Sequence, residues 1–158
     1  MPSTPVTRAL DAASVAYTLH LHDHPLTSLE QAASERGLRP GQIVRSLVFR
    51  SEDGTYLIVL ALGPRQVSWP KLRRHLRVSR LTTATPEGVL QVTGYPPGAV
   101  SPLGLATPLR ILADRSVREE ATASIGAGIR DAGVVLRTED LLRLVQPEMG
   151  DFLEISSL

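Results

Sequence analysis

Hydrophobic and polar positions alternate along the chain in short stretches, which are separated by glycine, proline and small polar residues. Period-2 alternation or aliphatic runs predict strands at 15–22, 43–50, 55–62, 109–113 and 134–137. The strands at 43–50 and 55–62 are expected to form a β-hairpin through the polar segment 51–54. Because aliphatic residues occupy both faces of 55–62, we expect this strand to be central and buried.

Capping residues predict where helices begin and end between these strands. The predicted helices cover 5–13 after Thr4, 29–36 after Ser28, 69–76 after Ser68, the segment from Pro86 to Gly94 after Thr85, and a last helix capped by Thr138. The chain contains no repeat and no low-complexity linker. Interleaved helices and strands therefore predict a mixed α/β fold, with residues 1–158 forming a single domain around a mixed, mostly antiparallel central sheet flanked by short helices.

Composition narrows the class of protein. The 158 residues are 42% apolar, carry a formal net charge of +1 and include no cysteine. This composition argues against disorder and excludes disulfides, thiolate metal sites and a thiol nucleophile. The aliphatic run 57–62 is far shorter than the roughly 18 residues of a membrane-spanning helix, and residues 1–8 lack the features of a secretion signal. We expect a soluble, cytoplasmic protein without a membrane partner.

The segment 94–104 is the least ordinary part of the chain, with three glycines and three prolines in eleven residues. Pro97 and Gly98 fit the central positions of a type II turn, and Ser101 is pushed toward extended backbone by Pro102. Such a stiff loop, with few side chains covering it, can direct backbone N–H groups at a carbonyl or an oxyanion. The alternative is a rigid surface connection without chemistry.

Two further clusters carry candidate chemistry. His20, His22 and His24 alternate as ligands on one face of a strand would, but no fourth ligand accompanies them, so local packing and hydrogen bonding are favoured over metal binding. A second cluster places six cations and no acid within 65–80: Arg65, Lys71, Arg73, Arg74, Arg77 and Arg80. This basic stretch suits phosphates, with Trp69 available for stacking, and equally suits a solvated helix face.

The motif Gly98-Ala-Val-Ser-Pro102, followed by Leu103 and Gly104, resembles the G-x-x-x-P loop of the YbaK/ProX-type aminoacyl-tRNA editing domains. That family includes the insertion domain of bacterial prolyl-tRNA synthetases. Other segments resemble the family in the same order along the chain: 4–10 with Tyr17, the dipeptide His24-Pro25, the strand 43–49, the glycine-rich run 124–128 and the segment 136–142.

The resemblance implies hydrolysis, in trans, of the ester that joins a wrong amino acid to the terminal adenosine of a tRNA. It implies a catalytic set of Arg45, Gly98, Ala99, Val100 and Ser101, and a substrate-binding set of Tyr17, His24, Pro102, Gly126 and Gly128. The basic stretch 65–80 would contact tRNA. The expected partners are misacylated tRNA, of a proline type, and an aminoacyl-tRNA synthetase, with no DNA. No metal and no cofactor are expected.

The chain departs from the family at Arg45. The family has a functional lysine here, in a V-K-[ST]-L context, whereas this chain reads Val44-Arg-Ser-Leu47. Arginine keeps the positive charge but cannot lose its proton at neutral pH, so a mechanism that needs a neutral amine is excluded at this position. The only lysine of the chain, Lys71, lies outside the motif strand.

Three hypotheses follow from the sequence. The first is a trans-editing hydrolase for small amino acids such as Cys, Ala or Ser, in which Arg45 acts as an electrostatic clamp. The second is a non-catalytic module that binds tRNA or aminoacyl-tRNA. The third is a metal- or small-molecule-binding protein that uses the histidines. Specificity would depend on pocket size, and we expect the pocket to be lined by Tyr17, Leu26, Val44 and Ile125.

Overall fold

The computed structural model describes residues 2–155, which form five α-helices and eight strands. The helices are α1 (Pro5–Ala12), α2 (Leu29–Glu35), α3 (Trp69–Leu76), α4 (Pro86–Thr93) and α5 (Thr138–Val145). Two 3₁₀ turns lie at Pro40–Gln42 and Arg115–Glu119. The strands are β1 (Tyr17–Leu21), β2 (Val44–Ser51), β3 (Tyr56–Leu62), β4 (Leu81–Thr83), β5 (Arg110–Asp114), β6 (Thr122–Gly126), β7 (Ala132–Arg137) and β8 (Glu148–Gly150).

The strands form two sheets. A five-stranded mixed sheet has the order β4-β2-β3-β5-β8, in which β3, β5 and β8 run parallel and the other pairs are antiparallel. A three-stranded antiparallel sheet has the order β1-β7-β6. An isolated parallel bridge between Ile43 and Ser124 joins the start of β2 to β6. The mixed α/β class is confirmed, and its strands are divided between two sheets.

The predicted hairpin is confirmed and lies at the centre of the larger sheet. β2 and β3 pair antiparallel from Val44 opposite Leu62 to Arg50 opposite Tyr56. Side chains of successive β3 residues belong to two different cores, because strand side chains alternate between the faces of a sheet. Ile58 and Leu60 join one core, and Leu57, Val59 and Ala61 join the other. Both faces of β3 are therefore buried, as its aliphatic composition predicts.

The larger core lies between the two sheets and the smaller one beneath α3. Val6 and Leu10 of α1, Ile125 of β6 and Val134 of β7 meet β2 and β3 in the larger core. On the opposite face of the five-stranded sheet, Leu112 of β5 belongs to a second core with Leu72 of α3, Phe152 and Leu153. The edge of β2 near Val44 thus lies where the two sheets meet, which is where a site built from both can form.

Four of the five predicted helix caps are confirmed. The side chains of Thr4, Ser28, Ser68 and Thr85 each accept a hydrogen bond from the backbone N–H three residues on. The prediction for Thr138 is wrong: Arg137 occupies the cap position, and Thr138 is the first residue of α5. Its hydroxyl is buried and has no hydrogen-bond partner among residues 2–155.

The hydrophobic pattern did not predict three of the eight strands. β6 runs into the glycine-rich segment 124–128, and β4 and β8 have only three residues each and no clear alternation. Both lie at the edges of the larger sheet, where backbone pairing rather than side-chain pattern defines the strand. Within residues 2–155, no helix combines the length and the apolar content that crossing a bilayer requires.

The double burial of β3 makes a prediction about stability. Leu60 is completely buried in β3, whereas Leu90 on α4 is 53% exposed. Leu60→Ala should lower the free energy of unfolding by about 2–5 kcal/mol, because it leaves a cavity between the sheets. The same change at Leu90 should alter it by no more than about 0.5 kcal/mol. Urea denaturation of both variants measures this, and equal losses would show that β3 is not the centre of the core.

Candidate active site

Two adjoining cavities follow one another along β2 and share part of their walls. We name them the Trp69 cavity, of about 400 Å³, and the Arg36 cavity, of about 350 Å³. Volumes of this size are typical of small-molecule sites. Five of the lining residues are common to the two cavities, and we call them the shared wall: Arg45, Ser46, Leu47, Gly98 and Val100. A ligand placed at this shared wall can therefore extend into either cavity.

The loop 98–102, which contributes Gly98 and Val100 to the shared wall, begins with the predicted turn. The Ala99 N–H donates to the Pro96 carbonyl at 3.0 Å, and Gly98 has φ +88°. These are the features of a type II turn with Pro97 and Gly98 at its centre. A Cβ atom at Gly98 would meet no atom within 4 Å, so the requirement for glycine comes from the positive φ and not from crowding.

The next part of the loop lies directly on β6. A Cβ atom on Gly126 would be 2.1 Å from the Val100 carbonyl oxygen, so a side chain there is incompatible with this position of the loop. The Gly128 N–H donates to the Ala99 carbonyl at 3.0 Å. The loop carbonyls of residues 99 and 100 are thus directed at the smaller sheet.

The amides of the same loop are largely uncommitted. Ala99 uses its N–H within the turn, whereas those of Gly98, Val100 and Ser101 donate to no residue within 2–155. Gly98 and Val100 also line both cavities. The loop therefore presents backbone donors at the shared wall, and Ala99 is not one of them.

Three predicted residues support this loop without lining either cavity. Ser101 is completely buried and its hydroxyl accepts from the Leu103 N–H at 3.1 Å. Pro102 is buried beside it. Gly128 has φ +87°, and a Cβ atom there would be 2.9 Å from the ring of Tyr95. Tyr95 in turn donates to the Leu103 carbonyl at 2.6 Å, and burial raises its pKa to about 12.

Arg45 lies near the start of β2 and lines both cavities. Its Nε donates to the Gly63 carbonyl at 2.6 Å, and Nη2 donates to the Arg65 carbonyl. Burial lowers the pKa of its guanidinium. Two of the five guanidinium N–H groups are used in this way, and the others donate to no residue within the described chain. The side chain is thus fixed in direction but retains donors for a ligand.

Ser46 was missed by the sequence analysis. It lines both cavities, and its hydroxyl is buried with no hydrogen-bond partner among residues 2–155. A buried polar group without a partner costs about 1–3 kcal/mol, so a ligand that bonds to it would offset this cost. The signal was present in the sequence, since Ser46 directly follows Arg45 in the motif 44–47.

Arg36, at the end of α2, was also missed. Its guanidinium donates to Nε2 of His22 at 3.2 Å, the Ser124 hydroxyl at 3.0 Å and the Ala132 carbonyl at 3.2 Å. Burial lowers its pKa. A Cβ atom on Gly133 would be 2.1 Å from its Cζ, so this glycine provides the space for the guanidinium. Arg36 connects α2 to the smaller sheet and lines the Arg36 cavity.

Three of the four residues expected to line a pocket do so. Leu26, Val44 and Ile125 all contribute to the wall of the Arg36 cavity. Tyr17 lies outside it, in the edge strand β1, and its hydroxyl donates to Asp11 at 2.9 Å. Partial burial, and then the carboxylate of Asp11, raise the pKa of Tyr17. Gly126, expected to bind substrate, also lines the Arg36 cavity.

His22 and His24 form a hydrogen-bonded cluster around Glu35, and the ring centroid of His20 lies 4.6 Å from that of His22. His22 Nδ1 and His24 Nε2 lie 2.7 and 2.8 Å from the two carboxylate oxygens of Glu35. Because Nε2 of His22 accepts from Arg36, the proton of that ring must be on Nδ1. No three His, Asp or Glu side chains within residues 2–155 are grouped as metal ligands. His24, expected to bind substrate, lies outside both cavities.

The basic stretch is divided between bound and free cations. Arg65 donates to the Glu154 carbonyl at 2.9 Å, and Lys71 contacts Asp151 and the Leu153 carbonyl, each at 3.0 Å. These two are therefore bound to the C-terminal segment 151–154. Four cations have no hydrogen-bond or ion-pair partner in the described part of the chain: Arg73, Arg74, Arg77 and Arg80.

The C-terminal segment fastens the strand-to-helix connection that carries Arg65. The Ser68 N–H donates to the Phe152 carbonyl and the Glu154 N–H to the Gln66 carbonyl, each at 2.8 Å. Asp114 anchors the same segment, since its buried carboxylate accepts from the Phe152 N–H at 2.8 Å. The Arg65 carbonyl accepts a hydrogen bond from the Arg45 guanidinium. The connection that contains this carbonyl is thus held in place by the segment 151–154.

The fold is that of a known domain family. The model of the aminoacyl-tRNA editing domain matches residues 23–144, which is more than half of the chain. The chain therefore belongs to the aminoacyl-tRNA editing domain family.

Similar proteins connect this domain to prolyl-tRNA synthetases. Proline--tRNA ligase of Bacillus licheniformis is 30% identical over 125 residues, which are 79% of this chain and 22% of that protein. Proline--tRNA ligase of Thermotoga maritima is 35% identical over 91 residues, which are 58% of this chain and 15% of that protein. The chain thus spans about a fifth of the length of these relatives.

A solved structure of similar size has the same fold. It is described as a candidate trans-editing enzyme for prolyl-tRNA synthetase, and it has 28% identity to this chain with a TM-score of 0.86. The match covers 98% of this chain and all of that one. The chain is thus similar to the editing part of the synthetases and, over nearly its whole length, to a protein of its own size.

The histidine cluster makes a prediction about pH. Hydrogen bonds from His22 and then His24 lower the pKa of Glu35 from 4.5 to about 2. A carboxylate whose pKa is lower in the folded state stabilises the protein above its unfolded pKa and stops doing so as pH falls through the folded value. Wild type should therefore be more stable than Glu35→Gln at pH 7, and the difference should shrink between about pH 4.5 and pH 2.

Denaturant unfolding of both proteins across this pH range measures the difference. Glu119→Gln serves as the control, since Glu119 is exposed and accepts no hydrogen bond from residues 2–155. It should show no such pH-dependent difference from wild type. A constant gap between wild type and Glu35→Gln down to pH 2 would contradict the role assigned to the carboxylate.

Proposed function

We propose that this chain is an aminoacyl-tRNA deacylase that acts in trans and hydrolyses the ester of a small amino acid, such as Cys, Ala or Ser, on a proline-type tRNA. The observation that carries the proposal is the position of the uncommitted amides of Gly98 and Val100, at the wall shared by two cavities. Membership of the editing family supports it, and so does the similarity to prolyl-tRNA synthetases.

The loop amides would act on the ester carbonyl. An N–H group already fixed in position stabilises the negative charge that develops on this oxygen in the transition state, and removal of one such donor raises the barrier by about 2.7–4 kcal/mol. The turn at Gly98 and the contact of the loop with Gly126 fix these donors before substrate arrives. No rearrangement of the loop is then required during the reaction.

Water would be the nucleophile, placed with help from a ribose hydroxyl of the substrate. The chain has no cysteine, and the loop serine, Ser101, is buried and bonded to the Leu103 N–H. The ester bond is broken by attack of water on its carbonyl carbon. The products are the free amino acid and a tRNA whose terminal ribose recovers its hydroxyl group.

Arg45 would hold the substrate by charge and hydrogen bonds. Its contacts with the carbonyls of Gly63 and Arg65 fix its direction, and its remaining N–H groups are available at the shared wall. Since a guanidinium stays protonated, it can stabilise an oxyanion or contact a phosphate but cannot act as a base. Arg45 therefore supplies the positive charge of a lysine, but it cannot accept a proton as a neutral lysine amine can.

The Arg36 cavity would receive the amino acid side chain. Its wall is mostly aliphatic, with Leu26, Val44 and Ile125 among the lining residues. A pocket of this kind discriminates by size, by about 10–200-fold for each methylene group. The unpartnered Ser46 hydroxyl at its edge can accept or donate one hydrogen bond to a polar acyl group such as that of serine.

The tRNA would lie across the free cations of the basic stretch. Four cations are free to contact phosphates: Arg73, Arg74, Arg77 and Arg80. Arg65 and Lys71 are instead bonded to the C-terminal segment 151–154. Phosphate contacts of this kind make the affinity for tRNA fall steeply with salt concentration.

We further propose that residues 1–158 act as one editing domain in the cytoplasm, with a prolyl-tRNA synthetase as a second partner.

The second candidate function is a non-catalytic module that binds aminoacyl-tRNA. The observation in its favour is that Arg45 is already bonded to the backbone at residues 63 and 65, so it serves as a fixed structural cation. The two candidates differ in whether the ester is cleaved.

A panel of mischarged tRNAs, each incubated with the purified protein, tests hydrolysis directly. We expect release of at least one small amino acid from a proline-type tRNA. Gly98→Ala should slow it about tenfold or more, because alanine at φ +88° is strained and shifts the loop amides. Gly41→Ala is the matched control, since Gly41 has open space around it and no positive φ. No hydrolysis on any tRNA would reject the enzyme.

Substitution of Arg45 separates the two candidates. If the chain is a deacylase, Arg45→Ala should reduce kcat/KM by about a hundredfold, since it removes a charged donor from the shared wall. Single-turnover deacylation and a binding assay on uncharged tRNA measure this loss. An inactive wild type together with an active Arg45→Lys variant would instead favour the non-catalytic module.

A further inference from the structure

Trp69 links the Trp69 cavity to the basic helix. It is the first residue of α3, directly after the Ser68 cap, and its side chain is half-buried. Its ring meets that of Phe49 edge to face, with centroids 5.2 Å apart and planes at 87°. This contact fixes the indole, and the residue lines the Trp69 cavity.

The rest of the Trp69 cavity suits a flat heterocycle. Most of its wall away from the shared residues is apolar: Val48, Phe49, Val67, Ala84, Pro86, Val89 and Pro97. Gln66, which is exposed, adds an amide at the rim. An amide both donates and accepts hydrogen bonds, and proteins that recognise single-stranded nucleic acid combine such groups with an aromatic ring that stacks on the base.

Charge indicates which cavity faces the nucleic acid. The residues that follow Trp69 on α3 include Lys71, Arg73 and Arg74, and no acidic residue lies between 65 and 80. The rest of the Arg36 cavity is mostly aliphatic, and the guanidinium of Arg36 in its wall is already bonded to His22, Ser124 and Ala132. A polynucleotide that leaves the Trp69 cavity along α3 therefore meets Arg73 and Arg74, whose side chains have no partner in the described part of the chain, whereas Lys71 is paired with Asp151.

We infer that the Trp69 cavity binds the terminal purine nucleoside of the tRNA, with the indole of Trp69 against the base and the acyl group in the Arg36 cavity. This inference rests on the proposed function and adds the orientation of the substrate. The ester lies at the shared wall beside Gly98 and Arg45, and its two substituents extend in opposite directions along β2.

The fluorescence of Trp69 tests the inference without any measurement of activity. Trp69 is the only tryptophan of the chain, so its emission reports on this cavity alone. The probes are two uncharged acceptor-stem minihelices, one ending in C-C-A and the other ending in C-C. We expect a saturable change in emission with the first and a much smaller change with the second. Equal changes with both, or none with either, would overturn the inference.

Two variants distinguish contact with the base from a structural role. Trp69→Phe keeps an aromatic face and should bind the C-C-A minihelix within about threefold of wild type, whereas Trp69→Leu should bind it at least about fivefold more weakly. Calorimetry measures both affinities, and circular dichroism with urea unfolding checks that each variant is folded. A folded Trp69→Leu variant that binds the C-C-A minihelix as tightly as wild type would overturn the inference.

The kinetic arm separates this inference from the proposed function. On a mischarged tRNA that wild type hydrolyses, Trp69→Leu should raise KM and leave kcat nearly unchanged, because the base contact is made equally in ground and transition states. A large loss of kcat at unchanged KM would contradict it. If no tRNA is hydrolysed but the C-C-A minihelix still changes Trp69 emission, the deacylase fails and the nucleoside site stands.

Discussion

The close contact between the loop 98–102 and strand β6 is the constraint on which the site depends. It requires a residue without a side chain at position 126, where any Cβ atom would overlap the Val100 carbonyl. The carbonyls of residues 99 and 100 are directed at the smaller sheet. The N–H groups of Gly98 and Val100, two residues of the shared wall, have no acceptor within residues 2–155. The loop donors are therefore positioned by packing between two sheets, and not by the conformation of the loop alone.

Two guanidinium groups line the cavities, and each donates to backbone or side-chain acceptors. Arg45 is bonded to two carbonyls, and Arg36 to a carbonyl, a hydroxyl and Nε2 of His22. Neither has a carboxylate bonded to it within residues 2–155. Arg45, whose pKa is lowered by burial alone, keeps its field for a negatively charged ligand, whereas the nearby carboxylate of Glu35 partly offsets the charge of Arg36.

Much of the fold could be predicted from the chain because its local signals agree with its tertiary structure. Side-chain caps at Thr4, Ser28, Ser68 and Thr85 marked helix starts, and the aliphatic content of β3 predicted its double burial. The division of the strands into two sheets was not predictable in this way, since it depends on which edges pair. Thr138 illustrates the limit: a residue suited to capping was instead buried by the packing of α5.

The candidate site shows the same division between local and long-range information. The turn at Gly98 and the strand position of Arg45 are local and were predicted. Arg36 gains its position only from contacts with distant segments, such as the Gly133 backbone that leaves room for its guanidinium. A single sequence carries no signal for such contacts, and for this reason Tyr17 was expected in a pocket that it does not reach.

The C-terminal segment has a consequence for how the domain can be divided. The family match ends at residue 144, but residues 151–154 hold the connection whose carbonyl at Arg65 receives the Arg45 guanidinium. A shortened version that ended at residue 144 would keep every motif residue. It would lose the segment 151–154, which holds the hydrogen-bond acceptor of Arg45 in place. The structural unit that supports Arg45 therefore extends at least ten residues beyond the matched sequence, as far as Glu154.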